Sequence, residues 1–238
     1  MKKIILLLAA GTSFAFSQAQ DSTIIFESPN QETFEPAQQE LVDAWGIDIL
    51  LSNNGFGAAG FYRREFSRDI FGTLTLGIAE SKDDNEVEYV DYWGQSYVPG
   101  KINRFLVIPL HVGVQYRLFA EDITDSFRPY INAGAGPTLV LAAPYQREYF
   151  NSWGYATSHY TIGGYIGAGA YFGSDLGSLS GVNIRYYFAP FSSGIASLQG
   201  APEYSLDANN QIITTPGKVS KKKDFGGFFI TINLGSAF

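Results

Sequence analysis

Apolar and polar residues alternate with a period of two through most of this chain, and the run 103–119 shows it most clearly. One row of that run is apolar throughout: Leu106, Ile108, Leu110, Val112, Val114, Tyr116 and Leu118. The opposite row includes Asn103, His111, Gly113, Gln115 and Arg117. Because successive side chains of a strand point to opposite faces, the run predicts a strand with one apolar and one polar face. At a rise of about 3.3 Å per residue and a tilt of about 40°, it can cross the hydrocarbon core of a membrane.

The same alternation recurs in further runs that are separated by turn signals. The predicted strands are 44–53, 56–66, 70–82, 103–119, 127–144, 159–173, 181–191 and 224–238. The first connection is a tight hairpin at Asn53-Asn54-Gly55. The connections after the second, fourth and sixth strands are short, and those after the third, fifth and seventh are long, which is typical of outer-membrane barrels. The pattern therefore predicts an all-β fold, an eight-stranded antiparallel up-and-down transmembrane β-barrel.

Alternation alone does not decide whether the apolar rows face lipid or an internal core, as they would in a soluble barrel of the lipocalin type. The polar rows favour lipid outside, because they are too polar for a soluble ligand cavity. They place six polar side chains in the lumen: Asp48, Arg63, Glu65, His111, Gln115 and Arg185. This cluster could be a functional site or a plug of hydrogen-bonded and ion-paired side chains. We expect the plug, because an eight-stranded barrel is just wide enough for side chains to fill and buried charges need partners.

The chain before the first strand predicts two segments that precede the barrel. Residues 1–19 have the pattern of a signal peptide, with Lys2 and Lys3, a short apolar core, and Ser17-Gln18-Ala19 before the expected cleavage point. Residues 20–43 are acidic and contain prolines, which predicts a periplasmic N-terminal arm. That arm is either a contact segment or a solvated lead-in to the barrel, which occupies 44–238.

Composition and charge exclude several other classes of protein. The chain has no cysteine, so disulfides and thiol chemistry are excluded. Its net charge of −7 does not suit nucleic-acid binding, which needs a basic surface. The acidic segment 83–91 lacks the spaced ligands and turn glycine of a calcium loop. We therefore expect no metal, no cofactor and no nucleic-acid partner.

Over 44–238 the chain resembles the superfamily of small bacterial outer-membrane β-barrels that includes OmpA-like, OmpX-like, OmpW-like and PorT-like proteins. The most specific features are Pro129-Tyr130, Gly134-Ala135-Gly136 and the terminal Phe238. The resemblance implies residence in the bacterial outer membrane, in contact with its lipid. It also implies that the last strand is the signal read by the barrel-assembly machinery, through Phe228, Ile230, Ile232, Leu234 and Phe238. Ser236 departs from the pattern, since an aromatic residue is most common there in the superfamily.

Two groups of residues in the long connections allow more than one interpretation. Lys218 and Lys221-Lys222-Lys223 either mark the outer mouth or contact the anionic phosphates of lipopolysaccharide. The aromatic residues either form an interfacial belt, which we expect, or a ligand-binding surface. They are Trp93, Tyr145, Tyr149, Phe150, Trp153 and Tyr155.

The architecture does not select one function, because barrels of this superfamily serve as anchors, adhesins, small channels and assembly factors. We expect a non-enzymatic barrel with a filled lumen and a structural or interaction role through its outer loops. One alternative is a narrow conduit for small or hydrophobic molecules. A second is a lipid A-modifying enzyme that uses His159 beside Ser158, but neighbouring strand residues point to opposite faces, and no oxyanion donors can be named. No catalytic residue is therefore predicted.

Overall fold

A computed structural model of the chain describes residues 43–123, 126–173, 177–206 and 211–238. The predicted signal peptide and all but the last residue of the predicted arm lie outside the described residues. Within these ranges no helix is long and apolar enough to cross a membrane.

The described chain is mostly β-structure. Its strands are β1 (Asp43–Ser52), β2 (Gly55–Ser67), β3 (Ile70–Ser81), β4 (Tyr89–Val90), β5 (Ser96–Tyr97), β6 (Asn103–Arg117), β7 (Phe127–Pro144), β8 (Thr157–Phe172), β9 (Ser180–Phe188), β10 (Pro190–Gln199), β11 (Glu203–Leu206), β12 (Ile212–Thr215), β13 (Val219–Asp224) and β14 (Gly227–Ala237). A one-turn helix, α1 (Tyr149–Ser152), and a 3-10 turn (Trp153–Tyr155) lie between β7 and β8.

Eight of these strands close into an antiparallel barrel in the order β1-β14-β9-β8-β7-β6-β3-β2. The barrel closes where the first and last strands pair, from Ala44 opposite Ala237 to Leu51 opposite Ile230. All eight predicted strands are confirmed, and their bounds differ by a few residues at the ends. The fold class predicted from the sequence is therefore correct.

The outer wall of the barrel is apolar on every strand. Large side chains that face outward and are exposed occur on each of the eight: Ile47, Tyr62, Leu74, Val112, Ile131, Ile162, Ile184 and Ile230. The alternate positions point inward and are mostly buried. Such a continuous apolar wall needs an apolar surrounding, because exposed apolar patches of this extent are rare on soluble proteins. The chain folds as a transmembrane β-barrel of the outer-membrane type, with the faces assigned as the sequence predicted.

The two ends of the barrel differ in their connections. At the end where β1 begins and β14 ends, short segments connect the strands, such as Arg68-Asp69 between β2 and β3. The opposite end carries the long connections, and these are partly folded. β4 pairs with β5, β10 with β13, and β11 with β12. The connection after the seventh predicted strand is long, as the sequence predicts, and within it β10 and β13 continue the ladder of β9 and β14 almost without a break.

Substitution of an outward residue by a charge should block membrane insertion. Val112 lies near the middle of β6 and its side chain is 67% exposed. We expect Val112→Arg to destabilise the inserted barrel by about 2–4 kcal/mol, the cost of a lipid-facing arginine near the midplane. The matched control is Gln115→Ala, which removes a luminal side chain of the same strand. Heat-modifiable migration of membrane fractions on unboiled gels measures insertion, and greater sensitivity of Gln115 would mean that the two faces are reversed.

Removal of Phe238 tests the predicted assembly signal separately from stability. Phe238 is exposed, and its backbone forms hydrogen bonds in both directions with Asp43. The deletion removes one apolar side chain, worth at most about 1.5–3 kcal/mol, and shortens the β1–β14 pairing only at its end, so refolding in detergent should be almost normal. Assembly in cells should fall sharply, with unfolded protein in the periplasm. Normal assembly in cells would refute the signal, and failure in both settings would indicate a structural role instead.

Candidate functional site

Buried side chains fill the lumen in successive groups along the barrel axis. The group nearest the start of β1 and the end of β14, called the inner layer here, is Ala44, Phe61, Tyr130, Tyr171 and Leu179. The group at the loop end, the outer layer, is Phe105, Val107, Val140, Ala142, Ala189, Phe191, Ile195 and Phe225. Between them lies a polar layer built around Asp48 and Arg185. This polar layer is the candidate functional site.

An ion pair forms the centre of the polar layer. Asp48 is fully buried on β1 and Arg185 is 6% exposed on β9. The Nη1 atom of Arg185 donates to Oδ2 of Asp48 at 2.6 Å. Asn233, which lies opposite Asp48 on β14, donates from Nδ2 to the other carboxylate oxygen at 2.5 Å. Both oxygens of the buried carboxylate therefore have a donor.

Tyrosine side chains extend this network in both directions. The Nη1 atom of Arg185 also donates to the hydroxyl of Tyr187 at 3.2 Å. On the other side, the hydroxyl of Tyr130 donates to Oδ1 of Asn233 at 3.1 Å. The Tyr130 ring stacks on Tyr171 with centroids 4.7 Å apart. The tyrosines thus connect the polar layer to the inner layer.

Gln115 and Arg63 join the network through Tyr171. The hydroxyl of Tyr171 donates to Oε1 of Gln115 at 3.3 Å. The guanidinium of Arg63 lies 4.5 Å from the ring centroid of Phe71 and 5.4 Å from that of Tyr171. Glu65 faces inward nearer the end of the barrel, but it forms no ion pair within the described part of the chain. All six residues lie on inward rows of their strands, and Arg63 stacks on aromatic rings without an ion pair to Glu65.

His111 lies at the boundary between the polar and outer layers and is 3% exposed. Its Nε2 atom is 3.3 Å from Oγ1 of Thr138. Its ring lies beside those of Tyr165 and Tyr187, with centroids 5.6 and 6.2 Å away. Hydroxyl and aromatic groups surround this histidine, which suits a packed side chain better than a general base held by a carboxylate.

The cavity between the polar and outer layers is small. It measures about 30 Å³ and is lined mainly by apolar side chains, among them Leu50, Val107, Phe225 and Phe229. A space of this size holds about one water molecule. It cannot accept a solute of several carbon atoms without rearrangement of its walls.

The hairpin of β10 and β13 covers the loop end of the barrel. The backbone N–H of Ile102 donates to the carbonyl of Ser197 at 2.8 Å, and Nδ2 of Asn103 donates to the carbonyl of Ala196 at 2.9 Å. Burial opposes ionisation of Asp83, but hydrogen bonds from Ser197 and Asn85 outweigh it, so the pKa of this carboxyl lies below its ordinary value. The hairpin is therefore fixed to β6 and to the connection that follows β3.

The lysines near the hairpin do not form one exposed group. Lys222 is only 7% exposed, and its Nζ donates to the carbonyl of Lys82 at 2.7 Å. Lys101 is also buried, in an ion pair with Glu86 at 2.5 Å. Lys218, Lys221 and Lys223 are exposed. Lys222 is therefore buried inside the structure and holds the hairpin over the mouth, whereas contact of the exposed lysines with lipopolysaccharide stays a prediction.

His159 lacks the neighbours that the enzyme alternative needs. Its Nε2 is 3.2 Å from Oγ1 of Thr157, and its ring contacts the edge of Phe191. No carboxylate is among its contacts in the described part of the chain. Among all the residues that the structure describes, no group of three or more His, Asp or Glu side chains could hold a metal ion.

Sequence reasoning missed several side chains that complete the lumen. The main ones are Asn233, Thr138, the tyrosine rings and the apolar outer layer. The period-two alternation already placed Tyr130, Tyr165 and Tyr187 on the inward rows, so the sequence did contain a signal for these rings. The outer layer depends on Phe191 and Ile195 of β10 and on Phe225, which lies between β13 and β14. The alternation of the predicted barrel strands gave no signal for these three residues.

Comparison with solved structures gives several barrels of similar fold. Neisserial surface protein A shares 10% identity over 83% of this chain and 96% of its own, with a TM-score of 0.46. The N-terminal β-barrel domain of Pseudomonas aeruginosa OprF shares 11% identity over 82% of this chain and 97% of its own, with a TM-score of 0.41. Ail, the attachment invasion locus protein of Yersinia pestis, shares 14% identity over 82% of this chain and 95% of its own, with a TM-score of 0.36. No family model and no curated protein matches the chain.

Proposed function

We propose that this chain is a non-conducting, non-enzymatic barrel of the bacterial outer membrane that acts through its outer loops as a structural or interaction protein. The observation that carries this proposal is the filling of the lumen at three successive levels. A solute would have to pass the stacked rings of Tyr130 and Tyr171, the pair of Asp48 and Arg185, and the ring contact of Phe105 with Phe225.

Opening the polar layer would require a large free energy. Separation of Asp48 from Arg185 would leave two uncompensated charges inside a narrow lumen, and removal of one partner of such a pair typically costs about 3–5 kcal/mol. Asn233 and Tyr187 would lose their hydrogen bonds at the same time. Thermal fluctuation therefore opens this level rarely, which does not suit a conduit.

The difference between the two ends supports a role outside the membrane. The connections at the end where β1 begins are short, whereas the opposite end carries three small sheets and an aromatic loop. The β11–β12 hairpin exposes Tyr204, Leu206 and Ile212, which are 66–71% exposed. Exposed apolar side chains that lie together often mark contact surfaces. A barrel that only anchors itself does not need such loops.

Single-channel recording in planar bilayers tests the proposal against the conduit alternative. The purified full-length protein should insert without conductance steps, because the three luminal levels exclude ions. The double variant Tyr130→Ala and Tyr171→Ala, which empties most of the inner layer, should still be closed, because the polar and outer layers remain. A large general porin in the same bilayers serves as the positive control for insertion and detection. Steady, voltage-independent steps from the unmodified protein would refute the closed lumen and favour the conduit.

A further inference from the structure

We propose that Arg104 and Arg147 form a binding site for the phosphate groups of lipid head groups at the loop-end rim of the barrel. This site lies on the outer wall, away from the lumen, and does not depend on whether the lumen conducts. The inference rests on the position of Arg104, on the rings that hold both guanidinium groups, and on the absence of acidic partners among the described residues.

Arg104 stands at the boundary between the apolar wall and the loops. It is the second residue of β6, and it belongs to the outward row that continues with Leu106 and Ile108. Its neighbour across the ladder is Ala143, at the loop end of β7. Leu106 is two positions further into the membrane, about 6–7 Å away at the usual strand rise. The guanidinium therefore lies at the level where lipid head groups meet the hydrocarbon region.

The side chain of Arg104 is held in place by two tyrosine rings. Its guanidinium lies 4.5 Å from the ring centroid of Tyr145 and 5.3 Å from that of Tyr149. Its Nη1 donates to the backbone carbonyl of Arg147 at 3.1 Å. Tyr145 is itself fixed, because its hydroxyl accepts a hydrogen bond from the backbone N–H of Val98 at 3.1 Å. The arginine is thus ordered before any ligand binds, which lowers the entropy cost of binding.

Arg147 supplies the second cation, in the connection that follows β7. Its guanidinium lies 3.7 Å from the ring centroid of Tyr155 and is exposed. The hydrogen bond from Arg104 to the Arg147 backbone keeps the two residues adjacent. Neither guanidinium forms an ion pair within the part of the chain that the structure describes. Two arginines without a carboxylate partner retain their free N–H groups for an external anion.

Phosphate is the anion that this arrangement suits best. Arginine presents a planar fork of N–H donors that binds phosphate oxygens in pairs, and stacking on aromatic rings leaves those donor edges free. The position at the head-group level selects lipid phosphates over phosphate in solution. Tyr145, Tyr149 and Tyr155 thereby hold the arginines of a binding site. From the sequence, Tyr145, Tyr149 and Tyr155 were expected to belong to an interfacial belt.

Titration of the purified full chain in an uncharged maltoside detergent tests the site. The probe is bisphosphorylated lipid A, and the readout is tryptophan fluorescence, since Trp153 lies beside Tyr149 with ring centroids 6.0 Å apart. We expect Arg104→Gln and Arg147→Gln each to weaken binding about tenfold or more, as for loss of one charge-assisted hydrogen bond. Lipid A without phosphates should bind the unmodified protein more weakly by at least the same factor. Inorganic phosphate should not compete at millimolar concentration.

Arg68→Gln is the control, because Arg68 is an exposed cation in the turn between β2 and β3, at the opposite end of the barrel. It should leave the affinity unchanged. Each variant is first checked for heat-modifiable migration, and Arg147→Gln keeps the test valid if Arg104→Gln does not fold, because Arg147 lies in an exposed loop. The proposal is refuted if the arginine variants bind as tightly as the unmodified protein. It is also refuted if Arg68→Gln loses as much affinity, or if inorganic phosphate competes as well as the lipid does.

Discussion

The buried ion pair between Asp48 and Arg185 is the interaction on which the rest of the barrel interior depends. The two residues lie on β1 and β9, and Asn233 on the intervening strand β14 completes the carboxylate's hydrogen bonds. The pair therefore ties together the three strands at the seam where the first and last strands close the barrel. Two charges can remain inside such a narrow space only when each is paired and hydrogen-bonded. The tyrosines around them provide further hydrogen bonds and fill the remaining volume.

The filling of the lumen also depends on residues that have no side chain. A β-carbon at Gly134 would lie 2.6 Å from the ring of Tyr165, and one at Gly46 would lie 2.6 Å from the ring of Phe61. Both glycines are on the inward row of their strands, so no side chain projects from the wall where a ring packs against it. Large rings and missing side chains are thus complementary, which is how an eight-stranded barrel can close its own lumen. The apolar wall outside needs no such fit, because fluid lipid chains adapt to it.

The sequence predicted the parts of this structure that depend on alternation alone. It placed Asp48, His111 and Arg185 inside and Val112 outside, because the period of a strand fixes the face of each residue. It could not predict which luminal groups meet across the barrel, so the stacking of Arg63 on Phe71 was missed. It also placed Lys222 in an exposed basic run. That side chain is buried because the β10–β13 hairpin folds over the mouth, and the contacts that direct this folding lie far apart in sequence.

A double-mutant cycle on Asp48 and Arg185 tests the central role of the ion pair most directly. The free energy of unfolding in urea would be measured in detergent micelles for Asp48→Asn, Arg185→Gln and the double variant. Each single variant should lose about 3–5 kcal/mol, because it leaves one buried charge without its partner. The double variant should lose clearly less than the sum, since neither charge then remains. Losses that add to within about 0.5 kcal/mol would mean that the two residues act independently, and would contradict the account.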